Sequence, residues 1–560
     1  MPLTVDFTHY YDYAELTTFL DEAQKQFPDL CRKISIGKSF EGRDIWLMEM
    51  TNTKTGDYAD KPAYYVDANI HAGEVTGAMT CVYAIWYALT QYGKDETVTR
   101  LLDTRTLYVL PRISVDGSEK YLKSPYSMRS STRYYPFDAP QPGLHTEDVD
   151  GDGNVLWMRM KDRAGSWKVS GLDPRIMIKR APDEDGGEYY RLLREGRLTD
   201  YNGRDIKIAP SRWGLDWNRN SPFDWHPEGK QEGAGPTPLS EPETRAVHNF
   251  IVSHRNICGA QSFHTFSGVI LRPYSARPDD DFPPADLEIY KKLGERGTEI
   301  TGYKCISIYH DFRYETKQFI RGGFMDWLYE HLGIFVFSTE LWDVTKQAGI
   351  PDADPIKFIM YERKPEDEKK LLDFADKELG GEGFAAWRPF NHPQLGPVEL
   401  GGWNFKYFWQ NPPGKYLQEI AHKNAHFVYS HALMSPLLTL DDLTAEPLGA
   451  DVYRVGCFAR NAGFLSTAVT AKALDQKAVR PIRAEITPGE GVTLVSGERR
   501  QELGQLEGRS NKLRMDLFHP GEGTDHQKWV EWVVRGRKGA IVEVAIISER
   551  AGSVRRYVRL

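Results

Sequence analysis

Cysteine is scarce in this sequence. Among its 560 residues there are five cysteines, and no two of them form a Cys-x-x-Cys pair: Cys31, Cys81, Cys258, Cys305 and Cys457. An odd number of widely separated cysteines is not typical of a disulfide framework or of a zinc site built from thiolates. The sequence therefore predicts neither stabilising disulfides nor a cysteine-bound metal.

Long apolar runs and a dominant sign of charge are also missing. No apolar stretch approaches the ~20 residues that a membrane-spanning helix needs. The 71 basic and 79 acidic residues leave a net charge of −8, without a large block of Lys and Arg, so neither a membrane span nor nucleic-acid binding is predicted. Because the first residues lack the basic start and apolar segment of a secretory signal, we expect a cytoplasmic protein, although a trimmed, exported form would look the same.

The pattern of apolar segments predicts an α/β fold. Hydrophobic residues make up 40% of the chain and charged residues 27%, which is ordinary for a globular protein. Strands predicted at about 34–36, 44–51, 63–70, 105–111, 258–264, 268–274 and 333–341 alternate with helices. Such alternation indicates a mixed sheet covered by helices on both faces, which binds its substrate at the strand ends.

A histidine and a glutamate three residues apart follow one of these strands. His71 and Glu74 come directly after the apolar segment 63–70, where a strand gives way to a helix. At that junction both side chains can face one pocket and offer a neutral nitrogen and an anionic oxygen to a divalent metal. The pair alone is a weak signal, because this spacing often occurs by accident.

Two further side chains come at the ends of later buried segments. His264 follows the apolar stretch 256–263 and offers a third metal ligand, while Glu340 ends the segment 333–339. Burying an unpaired glutamate costs several kcal/mol, so a glutamate in this place is expected to be paired, bound to metal or catalytic. Glu340 suits a general base.

In chain order, these residues and several further motifs resemble the zinc carboxypeptidase family, the metallopeptidases of carboxypeptidase A type (peptidase family M14). The resemblance covers about residues 7–435. Its elements are Ser39-Phe-Glu-Gly-Arg43, His71-x-x-Glu74, Pro111 with Asp116-Gly117, Asp216-Trp-Asn218-Arg219-Asn220, His264 with Pro273-Tyr274, Gly322-Gly323-x-x-Asp326-Trp327, and Glu340. The resemblance implies the eight-stranded carboxypeptidase sheet and a zinc ion bound by His71, Glu74 and His264, with one position left open.

The resemblance also implies hydrolysis of the C-terminal peptide bond of a peptide. A zinc-activated water would give its proton to Glu340 as general base, and Arg129 would stabilise the oxyanion. Arg129 lies thirteen residues after Asp116, a spacing that agrees with the family's. Its neighbour Arg133 is the alternative.

Recognition of the substrate is implied for residues at five positions. Asn218 and Arg219 resemble the pair that binds the free C-terminal carboxylate. A tyrosine closes over the substrate in the family; we favour Tyr309 for this role, with Tyr314 as the alternative. Met325 takes the position at the floor of the pocket for the leaving residue, directly before Asp-Trp.

An apolar pocket floor favours apolar or aromatic leaving residues, because Lys or Arg would need a buried acid there. The adjacent loop nevertheless contains three basic residues, Arg313, Lys317 and Arg321. An acidic or unusual substrate, including a cell-wall peptide, therefore stays open.

An insertion at about residues 135–212 interrupts the resemblance. Within it, Asp148, Asp150 and Asp152 stand at positions one, three and five of a calcium loop, with a glycine at position six. Position twelve is Arg159 instead of the expected glutamate. A Ca²⁺ site and an Asp/Gly-rich turn without metal are equally compatible with this pattern.

The pattern changes near the C-terminus. From about residue 436, short alternating segments are separated by Gly, Pro and Asn turns, which is typical of a small all-β sandwich. We therefore predict a catalytic domain at 1–435, including the insertion, and a β-sandwich domain at 436–560. The sequence does not indicate the partner of this second domain.

Three hypotheses about function follow. The first is a zinc-dependent carboxypeptidase that acts on peptides with a free C-terminal carboxylate. The second keeps the zinc chemistry but applies it to an amide in muropeptides or acyl-amino acids. The third is a catalytically inactive binding protein on a peptidase fold. The sequence disfavours it, because an inactive site would not require the metal ligands and the general base together.

Overall fold

The structure, a computed structural model, describes residues 2–314, 318–350, 354–360, 363–512 and 521–560. In chain order its strands are β1 (Cys31–Lys38), β2 (Asp44–Met50), β3 (Ala63–Ala68), β4 (Thr106–Leu110), β5 (Gly143–Thr146), β6 (Trp157–Lys161), β7 (Trp167–Val169), β8 (Met177–Lys179), β9 (Tyr190–Arg194), β10 (Gly196–Thr199), β11 (Ile257–Thr265), β12 (Val269–Arg272), β13 (Lys304–Ser307), β14 (Phe335–Leu341), β15 (Phe384–His392), β16 (Gly396–Trp403), β17 (Leu438–Gly449), β18 (Val452–Asn461), β19 (Ile482–Pro488), β20 (Thr493–Ser496), β21 (Arg500–Gly504), β22 (Gln527–Arg535), β23 (Ile541–Ser548) and β24 (Gly552–Arg559). Its helices are α1 (Tyr13–Gln26), α2 (Val75–Gln91), α3 (Glu96–Thr104), α4 (Val115–Lys123), α5 (Pro242–Ser253), α6 (Pro284–Thr301), α7 (Ile308–Asp311), α8 (Phe324–Leu332), α9 (Val344–Gln347), α10 (Pro355–Met360), α11 (Pro365–Leu379), α12 (Gly414–Leu433) and α13 (Ala471–Asp475).

An eight-stranded mixed sheet forms the centre of the molecule. Its strand order is β1-β2-β4-β3-β11-β14-β12-β13. The inner strands β4, β3, β11 and β14 run parallel to one another. The pairs β1–β2, β2–β4 and β12–β14 are antiparallel, and the edge strand β13 is parallel to β12. The predicted eight-stranded mixed sheet is thus confirmed.

Helices cover both faces of this sheet, because its central strands are apolar on both sides. Every residue of β3 is buried; Tyr64 and Val66 enter one core while Tyr65 enters the other. One core includes residues of α1, α2, α3 and α12, and the opposite core includes residues of α5, α6 and α8. None of the described helices combines the length and the apolarity needed to cross a bilayer.

Strands also form within the insertion. A six-stranded sheet has the order β15-β16-β6-β9-β7-β8, and β5 pairs with β10 beside it. Strands β15 and β16 therefore complete a sheet that begins more than two hundred residues earlier. We did not predict these strands, because several are only three to five residues long and their partners are remote in sequence.

The C-terminal region is an all-β sandwich, as predicted. Two four-stranded antiparallel sheets have the orders β17-β18-β22-β20 and β21-β19-β23-β24. Their inward side chains share one core, to which Val455 and Trp532 come from the first sheet and Ile486 and Val544 from the second. The alternating residues of each strand thus bury one face, as the sequence pattern requires.

Candidate metal centre and catalytic cavity

Three potential metal ligands meet at the carboxyl ends of two parallel strands. After β3 the chain turns at Asn69, which has a φ of 57°, and His71 follows, with Glu74 directly before α2. His264 lies near the end of β11, the neighbour of β3 in the sheet. Because parallel strands end at the same edge, residues almost two hundred positions apart share one site.

The donor atoms of these residues converge on one point. Nδ1 of His71 lies 2.8 Å from one oxygen of Glu74, and Nδ1 of His264 lies 2.9 Å from the other. The two Nδ1 atoms are 3.1 Å apart, and all three side chains are buried. Two imidazoles and a carboxylate in this arrangement fit a zinc ion, which prefers nitrogen and oxygen donors of this kind.

Asp216 holds one of the histidines in position. It accepts a hydrogen bond of 3.1 Å from Nε2 of His71 through one oxygen, and two hydrogen bonds of 3.0 and 2.8 Å from Arg129 through the other. Burial alone would raise the pKa of Asp216, but Arg129, Arg219 and His71 hold it well below its usual range. The bond to Nε2 leaves Nδ1 of His71 facing Glu74.

The other histidine contacts a second buried carboxyl group through a hydroxyl. Oγ of Ser262 lies 3.4 Å from Nε2 of His264 and donates a 2.6 Å hydrogen bond to Asp67. Burial raises the pKa of Asp67 to about 7. We did not predict Asp67 or Ser262, since both look like ordinary interior residues of buried strands.

Glu340 lies directly beside the ligand cluster. In the parallel pairing of β11 with β14, it is the register partner of His264. Burial raises the pKa of Glu340 well above its ordinary value, the charge of Glu74 raises it further, and Arg129 opposes both effects. A buried carboxyl group with a perturbed pKa beside a cluster of potential metal ligands is a candidate for proton transfer.

A cavity beside the cluster brings together most of the predicted site residues. The predicted residues that line it are His71, Arg129, Asn218, Arg219, Met325 and Glu340. Nη1 of Arg129 lies 3.9 Å from Glu74, whereas the alternative Arg133 is bound to Glu241 at 2.5 Å. The positively charged guanidinium of Arg129 therefore lies next to the potential metal ligands.

Asn218 and Arg219 present donors to the cavity. Oδ1 of Asn218 accepts a 3.0 Å hydrogen bond from the Phe324 N–H, so its NH₂ group is the end available to a ligand. The Arg219 side chain donates a 2.7 Å hydrogen bond to the Asn218 carbonyl and lies 3.6 Å from Asp216. These contacts hold the guanidinium and the amide side by side.

The structure places Tyr314, not the favoured Tyr309, at the cavity. Tyr309 stacks on Phe319 with ring centroids 5.5 Å apart and planes 3° apart, and it is not among the described residues that line the cavity. Tyr314 does line it.

Two of the three basic residues of the adjacent loop, Arg313 and Arg321, have described contacts with residues that do not line the cavity. Arg313 lies over the ring of Tyr309, 5.0 Å from its centroid, and Arg321 is paired with Asp224 at 2.6 Å. Lys317 lies outside the described residues. The argument for an acidic leaving residue therefore gains no support from Arg313 and Arg321.

The Asp-rich loop of the insertion provides no support for calcium. Arg388 pairs with Asp150 and with Asp152, at 2.7 Å from the latter. The carboxylate of Asp148 accepts hydrogen bonds from backbone N–H groups of its own turn. Asp148 and Asp150 do cluster with the buried Glu195, but both oxygens of Glu195 already accept backbone N–H groups.

Comparisons with known proteins identify similar sequences. The sequence profile described as zinc carboxypeptidase matches residues 16–168 and 172–364, and one described only as a domain of unknown function matches 437–559. Mast cell carboxypeptidase A of Rattus norvegicus is 25% identical over 364 residues, which cover 63% of this chain and 68% of that protein. Carboxypeptidase A2 of the same species is 25% identical over 347 residues, 60% of this chain and 64% of that protein.

Solved structures of similar proteins were also found. The crystal structure of thrombin activatable fibrinolysis inhibitor has 18% sequence identity and a TM-score of 0.43, and the match covers 77% of this chain and 76% of that chain. The carboxypeptidase A from Helicoverpa armigera has 18% identity and a TM-score of 0.39, over 68% of this chain and 75% of that one. Since the zinc carboxypeptidase profile matches more than half of the sequence, the chain belongs to the zinc carboxypeptidase family.

Proposed function

We propose that the protein is a zinc-dependent metallocarboxypeptidase that hydrolyses the C-terminal peptide bond of peptides. The observation that carries this proposal is the convergence of His71, Glu74 and His264 on one point, beside a cavity that contains Glu340 and Arg219. Membership of the family supports the choice of Zn²⁺ and of a peptide substrate.

The metal centre would consist of His71, Glu74 and His264. Zinc bound there supplies a Lewis acid that polarises the scissile carbonyl and acidifies water. Asp216 keeps the imidazole of His71 in the orientation that metal binding needs. Two neutral nitrogens and one carboxylate leave the centre with a net positive charge.

Glu340 acts as the general base and later as the general acid. Its carboxylate accepts the proton of the attacking water and then delivers it to the departing amine. The position of Glu340 across the register from His264, next to the potential metal ligands, supports this double role. Its raised pKa makes the protonated state accessible for the second step.

Arg129 stabilises the oxyanion. Because Nε and Nη2 are bound to Asp216, Nη1 is the end that can reach the substrate. This donor is fixed before the substrate arrives, which is the property that makes electrostatic stabilisation of a transition state effective.

Substrate recognition divides between a carboxylate site and a side-chain pocket. The guanidinium of Arg219 and the NH₂ group of Asn218 bind the free C-terminal carboxylate. Met325, buried in the first turn of α8, favours an apolar or aromatic leaving residue. Tyr314, instead of Tyr309, is the tyrosine that contacts the bound substrate.

Peptides that differ only at the C-terminus test this function. The zinc-loaded protein is incubated with an N-acyl dipeptide that ends in Phe and with the same dipeptide as a C-terminal amide, and mass spectrometry identifies the released residue. We expect cleavage of the free acid and little cleavage of the amide. The Arg219→Ala variant should lower kcat/KM for the free acid by about 10- to 100-fold, since it removes a hydrogen bond to a charged group.

The exposed Arg245 of α5 offers a matched control, because Arg245→Ala removes a cation that does not line the cavity. Equal cleavage of the acid and the amide would remove carboxylate recognition from the proposal. Absence of cleavage of both, and of longer peptides, would overturn the proposed activity.

A further inference from the structure

A second cavity lies between the six-stranded sheet of the insertion and the edge of the catalytic core. It has a volume of about 490 Å³, within the range of ligand sites in proteins. We call it the aromatic groove; from the sheet, the residues that define it are Trp157, Trp167, Lys179, Arg194, Trp387 and Trp403. Phe266 and Trp409 form the wall on the side of the catalytic core.

The two faces of this sheet differ in chemistry. One face buries Met158, Leu193 and Leu400 in a core that it shares with β5 and β10. The other face carries the half-buried tryptophans of the groove. A folded sheet does not need a face of this kind for its own stability, and large, partly exposed aromatic surfaces with polar neighbours mark binding sites.

Two cations of the groove lack an acidic partner. Nζ of Lys179 lies 4.1 Å from the ring centroid of Trp167, and the Arg194 guanidinium lies 4.9 Å from that of Trp157. Neither forms an ion pair with any residue that the structure describes, whereas the other two groove cations, Arg175 and Arg363, are paired with carboxylates. Burial lowers the pKa of Arg194 to about 10. The groove thus has an excess of positive charge and favours an anionic ligand.

The groove begins next to the metal centre. Phe266, which lines it, follows the ligand His264 by two positions, so their Cα atoms are at most about 7.6 Å apart. Phe266 is not among the described residues that line the catalytic cavity, where Asn218 and Arg219 receive the C-terminal carboxylate. The part of a peptide that precedes the scissile bond extends away from that carboxylate site, and Phe266 is the residue of the groove wall that lies nearest in sequence to the ligand His264.

We propose that the aromatic groove binds acidic side chains of the residues that precede the scissile bond. This inference rests on the proposed carboxypeptidase function and names its substrate class, peptides with Glu or Asp upstream of the leaving residue. Lys179 and Arg194 attract the carboxylates, while the tryptophans exclude water and so strengthen the attraction.

The test uses three substrates that share the C-terminal dipeptide. One is an N-acyl dipeptide that is too short to reach the groove; the other two are pentapeptides with either Glu or Gln at the two preceding positions. For the zinc-loaded full chain, we expect kcat/KM to be about 5- to 10-fold higher for the Glu pentapeptide than for the Gln pentapeptide, a ratio typical of one or two partly exposed ion pairs.

Reversal of one charge should abolish this preference. Lys179 is exposed, so Lys179→Glu is compatible with folding, and the Glu/Gln ratio should fall to one or below. The matched control is Lys161→Glu, at an exposed lysine of β6 that is paired with Glu188 and lies outside the groove; it should keep the wild-type ratio. Equal rates for both pentapeptides in the wild-type protein, or an unchanged ratio in Lys179→Glu, would overturn the inference.

Measurements of peptide binding without turnover distinguish a failure of this inference from a failure of the proposed function. Titration of the two labelled pentapeptides into the zinc-loaded Glu340→Gln variant, with and without Lys179→Glu, measures recognition without turnover. If no substrate is cleaved but the Glu pentapeptide binds in a Lys179-dependent manner, the proposed function fails and the groove stands. If the dipeptide is cleaved but Glu and Gln pentapeptides bind equally, the groove fails and the proposed function stands.

Discussion

At the level of single residues, the charge of Glu74 dominates the centre. Two imidazoles lie within 3 Å of its carboxylate, and they lower its pKa to about 2 although burial acts in the opposite direction. The same charge helps to raise the pKa of Glu340. One carboxylate is thereby kept ionised for a metal while its neighbour can hold a proton.

Replacement of Glu340 separates metal binding from turnover. The variant Glu340→Gln keeps the size of the side chain but cannot accept a proton, so we expect kcat to fall by about 10²- to 10⁴-fold. Zinc affinity, measured by competition with a chelator, should change far less than kcat, because the described donor cluster does not include Glu340.

The control for this variant is Glu299→Gln, at an exposed position of α6, which should retain activity. Full activity of Glu340→Gln would show that another group is the base. A large loss of zinc would instead make Glu340 part of the metal centre.

The candidate ligands were predicted from the ordered family motifs, to which the local spacing of His71 and Glu74 contributes, while contacts between remote segments could not be predicted. His71 and Glu74 are three residues apart beside a recognisable strand, so their shared orientation is a property of the local chain. The contact of Asp216 with His71 depends on the path of the chain between two residues that are 145 positions apart. The choice of Tyr314 over Tyr309 likewise depends on the packing of Tyr309 against Phe319, which no sequence pattern specifies.

At the level of elements, backbone hydrogen bonds fix the segment that carries Arg129. The carbonyl of Arg129 accepts a 2.7 Å hydrogen bond from the N–H of Ala72, and that of Met128 accepts one of 3.2 Å from Gly73. Oγ of Ser130 donates a 2.9 Å hydrogen bond to Ile70. Two loops are thereby joined, and Arg129 is held beside the turn that contains the metal ligands.

A glycine of α4 permits this close approach. A Cβ atom at Gly117 would overlap the carbonyl oxygen of Ser130 and lie 2.7 Å from Cβ of Ala72. We expect Gly117→Ala to lower the free energy of unfolding by about 1–3 kcal/mol and to reduce kcat by displacing Arg129. Gly171→Ala is the control, because a Cβ there meets no atom within 4 Å; equal stability of both variants in urea would contradict the tight contact.

Helix α8 introduces a dependence of stability on pH. Asp326 accepts hydrogen bonds of 3.1 and 3.2 Å from the N–H of Ser275, and burial raises its pKa from 3.8 to about 7. Between these values the folded state keeps a proton that the unfolded state releases, so the contribution of Asp326 to stability falls as the pH rises.

The variant Asp326→Asn removes this titration. Relative to the variant, the wild-type protein should lose about 3 kcal/mol of unfolding free energy between pH 4 and pH 7.5. Urea titrations at both pH values measure the difference, and a difference that does not change with pH would rule out the raised pKa.

The sequence predicted apolar, buried strands more successfully than short or exposed ones. Seven strands of the central sheet were recognised, because β3, β4, β11 and β12 are fully buried and β2 and β14 are nearly so. The eighth, β13, has four residues, of which one is exposed, and it was missed. The strands of the insertion were missed for a similar reason, since their stability depends on β15 and β16, which lie far along the chain.

At the level of the whole molecule, a buried arginine joins the β-sandwich to the catalytic core. Arg550 donates hydrogen bonds to the carbonyls of Gly333 and Ala468, at 3.0 and 2.8 Å, and to that of Leu332. Burial lowers the pKa of Arg550 to about 10. Asp286 adds to the junction by accepting two backbone N–H groups at the start of α13.

The variant Arg550→Met keeps most of the volume but leaves carbonyl groups without a donor. We expect the free energy of unfolding to fall by about 2–3 kcal/mol, measured by chemical denaturation. Arg555→Met, at an exposed position of β24, should change it by less than about 0.5 kcal/mol. If both variants behaved alike, the sandwich would not depend on Arg550 for its attachment.

The identity and position of the bound metal test the proposed zinc centre most directly. The measurement is X-ray diffraction on both sides of the zinc absorption edge, from crystals of the protein loaded with one equivalent of Zn²⁺. We expect a single anomalous peak at about 2.0–2.2 Å from Nδ1 of His71, Nδ1 of His264 and the carboxylate of Glu74. A zinc peak at another place, or none between these three residues, would contradict a zinc peptidase centre in this protein.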